Sequence, residues 1–355
     1  MTEINNTIHI LDCTLRDGGW VNDFSFGSKN MCEIVSRAEK AGIELVELGY
    51  MDQAKGSAEG RSMYADFEAF EKNGLSSVPK SQTRRFVMID YGKFPADQIP
   101  ERAAVSGSCL DGIRICFHKN DLPGAIRMGR EVLNRGYELF MQPMVTTRYT
   151  DEEFAQMLEQ ILADLPEVHA IYIVDSFGAM DFRDMRNRLH AADEILPETA
   201  AVGLHVHNNR GLSFPIASSA CKMLGGTREL YVDCAISGMG KGAGDLETEI
   251  FAEYMNGEWG SAYGLDHLRS VKERILIPLR EKYQWGRCEK YELTAKYRTT
   301  PSYANMFCRS GKVTMEELEE LLAGIPDDKK DSFDRIFAEA YLNEWNGKKA
   351  TGADA

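Results

Sequence analysis

The sequence lacks the marks of several classes of protein. Basic residues are few: 41 lysines and arginines stand against 55 aspartates and glutamates, which gives a formal net charge of −14. Such a balance argues against nucleic-acid binding, which needs clustered cations. No apolar run approaches the roughly 20 residues that span a bilayer. The first residues, MTEINNTIHI, carry no basic segment ahead of a long apolar one. We therefore predict neither a membrane span nor a signal peptide.

Cysteine is present but shows no paired pattern. The 8 cysteines are scattered over 355 residues, and no CxxC pair occurs. This distribution predicts reduced thiols and, with no signal peptide in view, a cytoplasmic protein. Hydrophobic residues make up 43% of the chain, which is enough to build a sizeable core.

Short apolar runs alternate with amphipathic stretches through the first two thirds of the chain. Most of the runs are continuously apolar, as in parallel strands that are covered on both faces. Eight βα units in about 250 residues match a (β/α)8 TIM barrel, an α/β fold. A doubly wound open sheet is the competing architecture, but the GxGxxG that normally follows its first strand is absent. The predicted strands are residues 8–15, 45–49, 86–90, 112–117, 138–143, 170–174, 201–207 and 229–235.

Helical periodicity fills the segments between the predicted strands. Residues 29–41 form one helix that stops at Gly42, and residues 151–164 form another that Thr150 caps. A third covers residues 213–224. From about residue 264 only helices are predicted, over 265–283, 314–322 and 328–345. We therefore predict a TIM-barrel catalytic domain over residues 1–262 and a helical C-terminal extension over residues 263–355.

The most informative motif is the pair His205 and His207, at the end of the apolar run 201–204. On a β-strand, side chains i and i+2 point to the same face, so both imidazoles project side by side, spaced to bind one cation. Two histidines do not complete a site. Asp17, which follows the first predicted strand, is the best candidate for the missing carboxylate. This N/O set suits a divalent Mn, Mg, Zn, Co or Fe ion acting as a Lewis acid toward a carbonyl.

Further polar residues stand where predicted strands end, on the barrel face that carries active groups. Some of them have two interpretations. Glu47 either binds substrate or pairs with Arg16 or Arg114. Asp245 is either a fourth metal ligand or a helix N-cap, and we favour the N-cap. The Gly-rich run 238–244 either cradles an anion or is a tight turn. From this set we predict that substrate is bound by Glu47, Arg114, Asp175 and Ser176.

These residues together resemble the DRE-type TIM-barrel metallolyases, and most closely their 4-hydroxy-2-oxovalerate aldolase branch, which is similar to HMG-CoA lyase. The resemblance rests on Thr-Leu-Arg-Asp-Gly at 14–18, the HxH motif and the Gly-rich loop. Residues 46–49, 113–118 and 172–176 agree as well. It covers roughly residues 8–260, and the helical tail is similar more weakly.

The resemblance implies a role for each residue. Asp17, His205 and His207 bind the metal. Arg16 stabilises the charge that develops on oxygen when the C–C bond breaks. The substrate is a 2-oxo acid that chelates the metal through its keto and carboxylate oxygens. Retro-aldol cleavage then gives a pyruvate-type enolate and an aldehyde.

The sequence departs from those aldolases at their catalytic histidine. Trp20 stands in that place, three positions after the metal aspartate, and Tyr50 stands where they have a histidine after the second strand's glycine. The candidates for catalytic proton transfer are therefore Tyr50, His118 and Tyr297. Tyr297 is included because it resembles a tail tyrosine that those aldolases present to their site.

We predict a metal-dependent aldolase, a carbon–carbon lyase, that acts on a small-molecule 2-oxo acid. The expected metal is Mn2+ or Mg2+, with Zn2+ or Co2+ as alternatives. One alternative function is a Claisen-type synthase that joins an acyl-CoA to a 2-oxo acid on the same barrel. Another is a non-catalytic barrel that binds a metabolite or partner protein. We also expect a homo-oligomer and, from the resemblance, an aldehyde dehydrogenase partner.

Overall fold

The computed structural model describes residues 7–80, 82–104 and 109–351. Residues 1–6, on which the signal-peptide prediction partly rests, lie outside this range. The strands are β1 Ile8–Asp12, β2 Leu45–Met51, β3 Met63–Tyr64, β4 Arg84–Asp90, β5 Gly112–Phe117, β6 Glu138–Pro143, β7 Ala170–Asp175, β8 Ala201–Val206 and β9 Leu230–Cys234. Parallel pairing gives the order β1-β9-β8-β7-β6-β5-β4-β2, and β1 also pairs with β2, which closes a barrel of eight strands.

The eight predicted strands are the eight strands of the barrel, so the predicted (β/α)8 fold is confirmed. The sequence did not indicate β3, a two-residue strand that pairs with the end of β2. It has only two residues and therefore no periodicity that could reveal it. It lies beside Tyr50, where Tyr50 pairs with Met63.

Helices cover the outside of the barrel. A layer of buried apolar side chains separates them from the strands. The helices are α1 Gly19–Asn22, α2 Ser28–Ala41, α3 Ala69–Lys72, α4 Leu122–Asn134, α5 Asp151–Asp164, α6 Phe182–Ile195, α7 Ser213–Leu224, α8 Thr248–Glu258, α9 Leu265–Val271, α10 Ile277–Tyr283, α11 Glu289–Lys296, α12 Pro301–Phe307, α13 Met315–Ala323 and α14 Arg335–Thr351.

Local sequence signals explain where several helices begin and end. The Thr150 hydroxyl accepts a hydrogen bond from the Glu153 amide, and the Glu153 carboxylate accepts one from Thr150, so α5 starts with a capping box. Gly42 ends α2 with φ 82°, a left-handed conformation that favours glycine. The predicted bounds of α5 and α7 agree with the structure.

Aromatic side chains fill much of the barrel interior. Phe140 lies at the centre of this layer, with its ring centroid 4.4 Å from that of Phe86 and 5.1 Å from that of Tyr231. Leu11, Leu45 and other aliphatic side chains complete this buried layer inside the barrel. Side chains therefore fill the interior of the barrel, and the space for a ligand lies at the strand ends.

The region after the barrel is helical, as predicted, but its elements differ in detail. A π-helical turn, Lys272–Leu276, joins α9 to α10, so the predicted helix 265–283 is continuous but irregular. The sequence did not indicate α11 and α12. The helix predicted over 328–345 is instead α14, at Arg335–Thr351. Residues of α12, α13 and α14 share a separate apolar cluster. The domain boundary at residue 262 stays a prediction.

Among the described residues, none of the helices combines the length and the apolar character that crossing a membrane would require.

Candidate active site

The structure brings together four residues that the sequence places far apart. Asp17, His205, His207 and Asp245 each offer a ligand atom, and these atoms all lie within 4.8 Å of one another. All four residues are buried. Asp17 follows β1, the histidines end β8, and Asp245 follows the Gly-rich loop after β9. We refer to these four residues as the metal cluster.

Asp245 belongs to this cluster and does not cap a helix. We had favoured an N-cap role for it, but the N-cap of α8 is Glu247. The backbone of Asp245 bridges to His207, and its Oδ1 atom lies 3.1 Å from His207 Nδ1. Gly240 makes room for this carboxylate, because a Cβ atom there would lie 2.5 Å from Asp245 Oδ2. The Gly-rich run is a turn that places Asp245 in the site.

The two imidazoles are arranged as ligands for one cation. His205 Nδ1 lies 3.0 Å from Asp233 Oδ2, although the two make no hydrogen bond of good geometry, and its Nε2 lies 3.7 Å from Asp17 Oδ2 and 3.9 Å from Asp245 Oδ1. His207 Nε2 lies only 3.3 Å from His205 Nε2. Two lone pairs at this distance repel each other unless a proton or a cation lies between the groups. The donor set therefore fits a shared metal ion.

Electrostatics favour the deprotonated state that metal binding needs at two of the four residues, His207 and Asp17. Burial lowers the pKa of His207 to about 3, which keeps its imidazole neutral. Burial alone would raise the pKa of Asp17, but Arg16, the two histidines and the Lys241 amide together outweigh it and hold the pKa well below its usual range. Burial and the charge of Asp17 raise the pKa of Asp245.

Buried polar atoms in the metal cluster also lack good partners. Among the described residues, His207 Nδ1 and Asp245 Oδ1 make no hydrogen bond of acceptable geometry, although both are fully shielded from solvent. Such groups are costly to bury without a partner, and a bound cation is one of the ordinary explanations for them. This observation supports the fit of the residues to a divalent ion.

Arg16 begins a line of alternating charges that runs below the metal cluster. Its side chain contacts Asp17, and its Nε donates to Glu47 Oε2 at 2.7 Å. Glu47 Oε2 also accepts from Arg114 Nη1 at 2.8 Å, and Arg114 Nη2 donates to Asp233 Oδ2 at 2.5 Å. We call Arg16, Glu47, Arg114 and Asp233 the charge ladder. Because Asp233 also faces His205, the ladder links the position of Arg16 to that of a metal ligand.

The predicted substrate-binding roles of Glu47 and Arg114 do not match their places in the structure. Both side chains are fully buried within the charge ladder, and neither lines the cavity at the strand ends. Arg114 also lies over the ring of Tyr172, 4.6 Å from its centroid. We had left open a salt-bridge interpretation of Glu47, and that is the arrangement found. Their contacts in the structure are with other members of the charge ladder, and substrate binding by them stays a prediction.

A cavity of about 120 Å3 opens beside the metal cluster. One part of its wall is polar and carries the cluster. The other part is apolar or aromatic, and Trp20, which is 47% exposed, lies at its edge. The lining residues are Arg16, Asp17, Trp20, Tyr50, Met88, Asp90, Cys116, Gln142, Met144, Val174, Ser176, His205, His207 and Lys241.

The remaining predicted site residues separate into two groups. Tyr50 and Ser176 line the cavity. Asp175 does not: it accepts hydrogen bonds from the amides of Ala179 and Met180 and so shapes the loop after β7. His118 follows β5 but is absent from the cavity wall.

Tyr297 is placed away from the cavity. Its hydroxyl donates to Glu319 at 2.9 Å, a residue of α13, and it does not line the cavity. Its catalytic role was inferred from a weak resemblance of the tail, and this geometry does not support it.

The sequence did not reveal three residues of the site. Asp233 lies within β9, Asp90 ends β4, and Lys241 lies in the Gly-rich loop. The strand-end rule could have indicated Asp90. Asp233 carried no such signal, because it stands in the body of a strand. The Lys241 amide donates to Asp17 Oδ1 at 2.8 Å, which ties this loop to the metal cluster.

Comparison with known proteins gives a consistent result. Residues 124–275 match the family described as HMGL-like. The chain is 30% identical over 280 residues to a 4-hydroxy-2-oxovalerate aldolase of Carboxydothermus hydrogenoformans, covering 76% of this chain and 77% of that protein. It is 27% identical over 271 residues to 4-hydroxy-2-oxovalerate aldolase 6 of Rhodococcus jostii, covering 76% and 73%.

A solved structure supports the fold. The crystal structure of the HMG-CoA lyase from Brucella melitensis superposes with a TM-score of 0.60 at 16% identity, covering 77% of this chain and 98% of that one. At this level of identity the likeness concerns the architecture alone.

Proposed function

The chain belongs to the HMGL-like family of aldolases and lyases, and we propose that it cleaves or forms a C–C bond in a 2-oxo acid with a divalent metal ion. The proposed substrate is a 4-hydroxy-2-oxo acid, which gives pyruvate and an aldehyde. The curated relatives carry the name of this activity. The closed barrel with its cavity at the strand ends supports the transfer of the activity to this chain.

One observation carries the proposal. Three residues of the metal cluster, Asp17, His205 and His207, line one cavity together with Arg16. A divalent ion bound by Asp17, His205 and His207, with Asp245 beside them, supplies a Lewis acid for the keto oxygen of the substrate. Mn2+ or Mg2+ is the proposed metal, and Zn2+ or Co2+ also suits an N/O donor set.

Arg16 stabilises negative charge that develops on the substrate oxygen. Its charge is permanent, because the carboxylates of Glu47 and Asp17 hold the pKa of Arg16 well above its usual range against the effect of burial. Its direction is fixed by the hydrogen bond to Glu47, so little reorganisation is needed when the charge forms. Removal of one such donor typically costs 10²–10³ in kcat, or about 3–4 kcal/mol.

The apolar part of the wall excludes water from the reacting bond. Trp20, Tyr50, Met88 and Val174 supply this surface. In such a surrounding, the attraction between Arg16 and the oxygen is stronger than in bulk water. Ser176, which also lines the cavity, accepts a hydrogen bond from the Val145 amide at 3.0 Å and is therefore held in place for a polar contact with the substrate.

The proposal is tested by assaying metal-loaded protein for release of pyruvate from a series of 4-hydroxy-2-oxo acids. We expect cleavage with Mn2+ or Mg2+ and none after chelation. Asp17→Asn should reduce cleavage by at least about 100-fold and weaken Mn2+ binding, since it removes a ligand charge. Asp97→Asn, an identical change at an exposed position, is the matched control.

Two results would contradict the proposal. Release of free CoA thiol from an acyl-CoA and a 2-oxo acid, without pyruvate release, would identify a synthase instead. Full activity of Asp17→Asn would separate the reaction from the metal cluster. The homo-oligomer and the aldehyde dehydrogenase partner remain predictions. A sedimentation experiment tests the first and co-purification with the dehydrogenase the second.

A further inference from the structure

Asp90 is a carboxylate of the cavity that the metal cluster does not use. It ends β4 and lines the cavity together with Asp17 and both histidines, but it is not one of the four clustered ligands. A retro-aldol cleavage requires a group that accepts the proton of the 4-hydroxyl. The histidine expected at the position of Trp20 is missing, so this chain needs another group for that step.

The neighbours of Asp90 hold its carboxyl group in place. The hydroxyl of Tyr50 and the thiol of Cys116 lie next to it, and both favour its charged form. Tyr50 is itself fixed between aromatic rings: its ring centroid is 5.5 Å from that of Trp20 and 5.9 Å from that of Phe24. Trp20, which stands in the place of the missing histidine, thus packs against Tyr50, the neighbour of Asp90.

Tyr50 and Cys116, the neighbours of Asp90, are poor bases. Burial, together with the charge of Asp90, raises the pKa of Tyr50 far above its usual range. Burial raises the pKa of the Cys116 thiol in the same way. Both groups therefore keep their protons at neutral pH and act as donors. Lys241 is the remaining competitor in the cavity wall, and a variant at that position is part of the test below.

We propose that Asp90 is the catalytic acid–base residue of this site, with Tyr50 as its positioning residue; this inference rests on the proposed function. The Asp90 carboxylate takes the proton of the substrate 4-hydroxyl. The C4–O bond becomes the aldehyde carbonyl as the C3–C4 bond breaks, and the electron pair of that bond passes to C3 and the keto oxygen. Asp90 then returns its proton to C3, which completes pyruvate and restores the carboxylate.

The surroundings of Asp90 predict its pH dependence. Burial raises the pKa of Asp90 above that of an ordinary carboxyl group, while the neighbouring Tyr50 hydroxyl lowers it. The acidic limb of the profile of kcat/KM should therefore lie above the usual carboxyl range, and Tyr50→Phe should move it to still higher pH. The titratable and charged groups that face Asp90 or act on its pocket are Arg16, Tyr50, Cys116, His118 and Lys241.

The decisive experiment compares two reactions of the full-length, Mn2+-loaded protein. Cleavage of a 4-hydroxy-2-oxo acid needs removal of the hydroxyl proton, whereas decarboxylation of oxaloacetate breaks a C–C bond without that step. Asp90→Asn should reduce cleavage by 10²–10⁴-fold, the usual contribution of a general base. Decarboxylation should fall much less than cleavage, because water can protonate the released enolate in place of Asp90. Mn2+ affinity and the far-UV circular dichroism spectrum should remain unchanged. Asp97→Asn controls for the substitution itself.

The outcomes separate the two proposals. If the wild-type protein performs neither reaction, the proposed function fails and the role of Asp90 fails with it. If the wild type is active and Asp90→Asn cleaves within threefold of it, or if Lys241→Met alone abolishes cleavage, only the role of Asp90 is overturned. Should Asp90→Asn not fold, Tyr50→Phe decides: an unmoved acidic limb contradicts the proposal, and a limb at higher pH supports it.

Discussion

Asp245 depends on the absence of a single side chain at Gly240. A methyl group there would lie 2.5 Å from Asp245 Oδ2, well inside van der Waals contact, so the carboxylate would have to move. We expect Gly240→Ala to weaken Mn2+ binding by about 10–100-fold, as for other changes beside metal ligands. Calorimetric titration with Mn2+ measures this.

The control for Gly240→Ala is the same substitution in a place with room. Gly257 lies exposed in α8, and a Cβ atom there would meet nothing within 4 Å. Gly257→Ala should leave Mn2+ binding unchanged and stabilise the fold by up to about 1 kcal/mol, because alanine has the better helix propensity. Equal Mn2+ affinities of the Gly240→Ala variant and the wild type would show that Asp245 adjusts freely.

Where a local rule was sufficient, the sequence indicated residues that lie together in the structure. The i, i+2 spacing of His205 and His207 and the strand-end position of Asp17 indicated three residues that the structure brings together. The contribution of Asp245 depends on the shape of a glycine-rich turn, which the sequence leaves undetermined between several conformations. The position of Asp233 in the site depends on β9 lying between β8 and β1 in the barrel. Which strands are neighbours is a property of the closed fold.

At the scale of the strand, Arg114 connects β5 to its neighbours through charge. Its guanidinium is fully buried and bridges Glu47 of β2 and Asp233 of β9. Arg114→Met would leave two buried carboxylates without their shared partner. We expect a loss of about 3–5 kcal/mol in the free energy of unfolding, as for other broken buried ion pairs. Urea unfolding followed by circular dichroism measures it.

Arg127→Met provides the comparison for Arg114→Met, because Arg127 is exposed on α4. That change should alter the free energy of unfolding by less than about 0.5 kcal/mol. If both variants were equally stable, the charge ladder would contribute nothing to the barrel, and its carboxylates would be protonated when Arg114 is lost.

The elements themselves were predicted unevenly. Helix α5 was predicted correctly because Thr150 and Glu153 form a cap that is visible in the sequence. Helices α11 and α12 were missed because they have only 8 and 7 residues, too few to establish a period of 3.6. The start of α14 was placed too early because the acidic run around Asp328 resembles a first helical turn, whereas the structure forms a short 3-10 turn there.

At the scale of the whole molecule, the barrel is closed by β1, which pairs with β2 on one side and β9 on the other. His9 of β1 lies at this seam. Its Nε2 is 3.1 Å from Glu229, and its Nδ1 is 3.9 Å from Glu44. Burial alone would lower the pKa of His9, but the neighbouring carboxylates of Glu229 and Glu44 outweigh burial and raise the pKa to about 9.

The raised pKa of His9 makes closure of the barrel dependent on pH. The folded pKa lies above the ordinary value of 6.5, so the stabilisation by His9 is fully present below pH 6.5 and is lost as pH rises through about 9. Relative to His9→Gln, the wild type should be more stable by about 1–3 kcal/mol at pH 6 and by almost nothing at pH 10.

Urea unfolding of both proteins at several pH values measures that difference. The exposed histidine of α6, changed in His190→Gln, serves as the control and should follow the wild type. A constant difference between wild type and His9→Gln across this range would contradict the assignment.

The metal cluster draws its members from opposite ends of the barrel sequence, from Asp17 after β1 and from Asp245 after β9. During synthesis on the ribosome, the first ligand emerges early but cannot meet the last until more than two hundred further residues have been made. A chain that is released early therefore has no place to hold the ion. Capture of a metal ion by this cluster would therefore report that translation has passed the end of the barrel and that its two edges have joined.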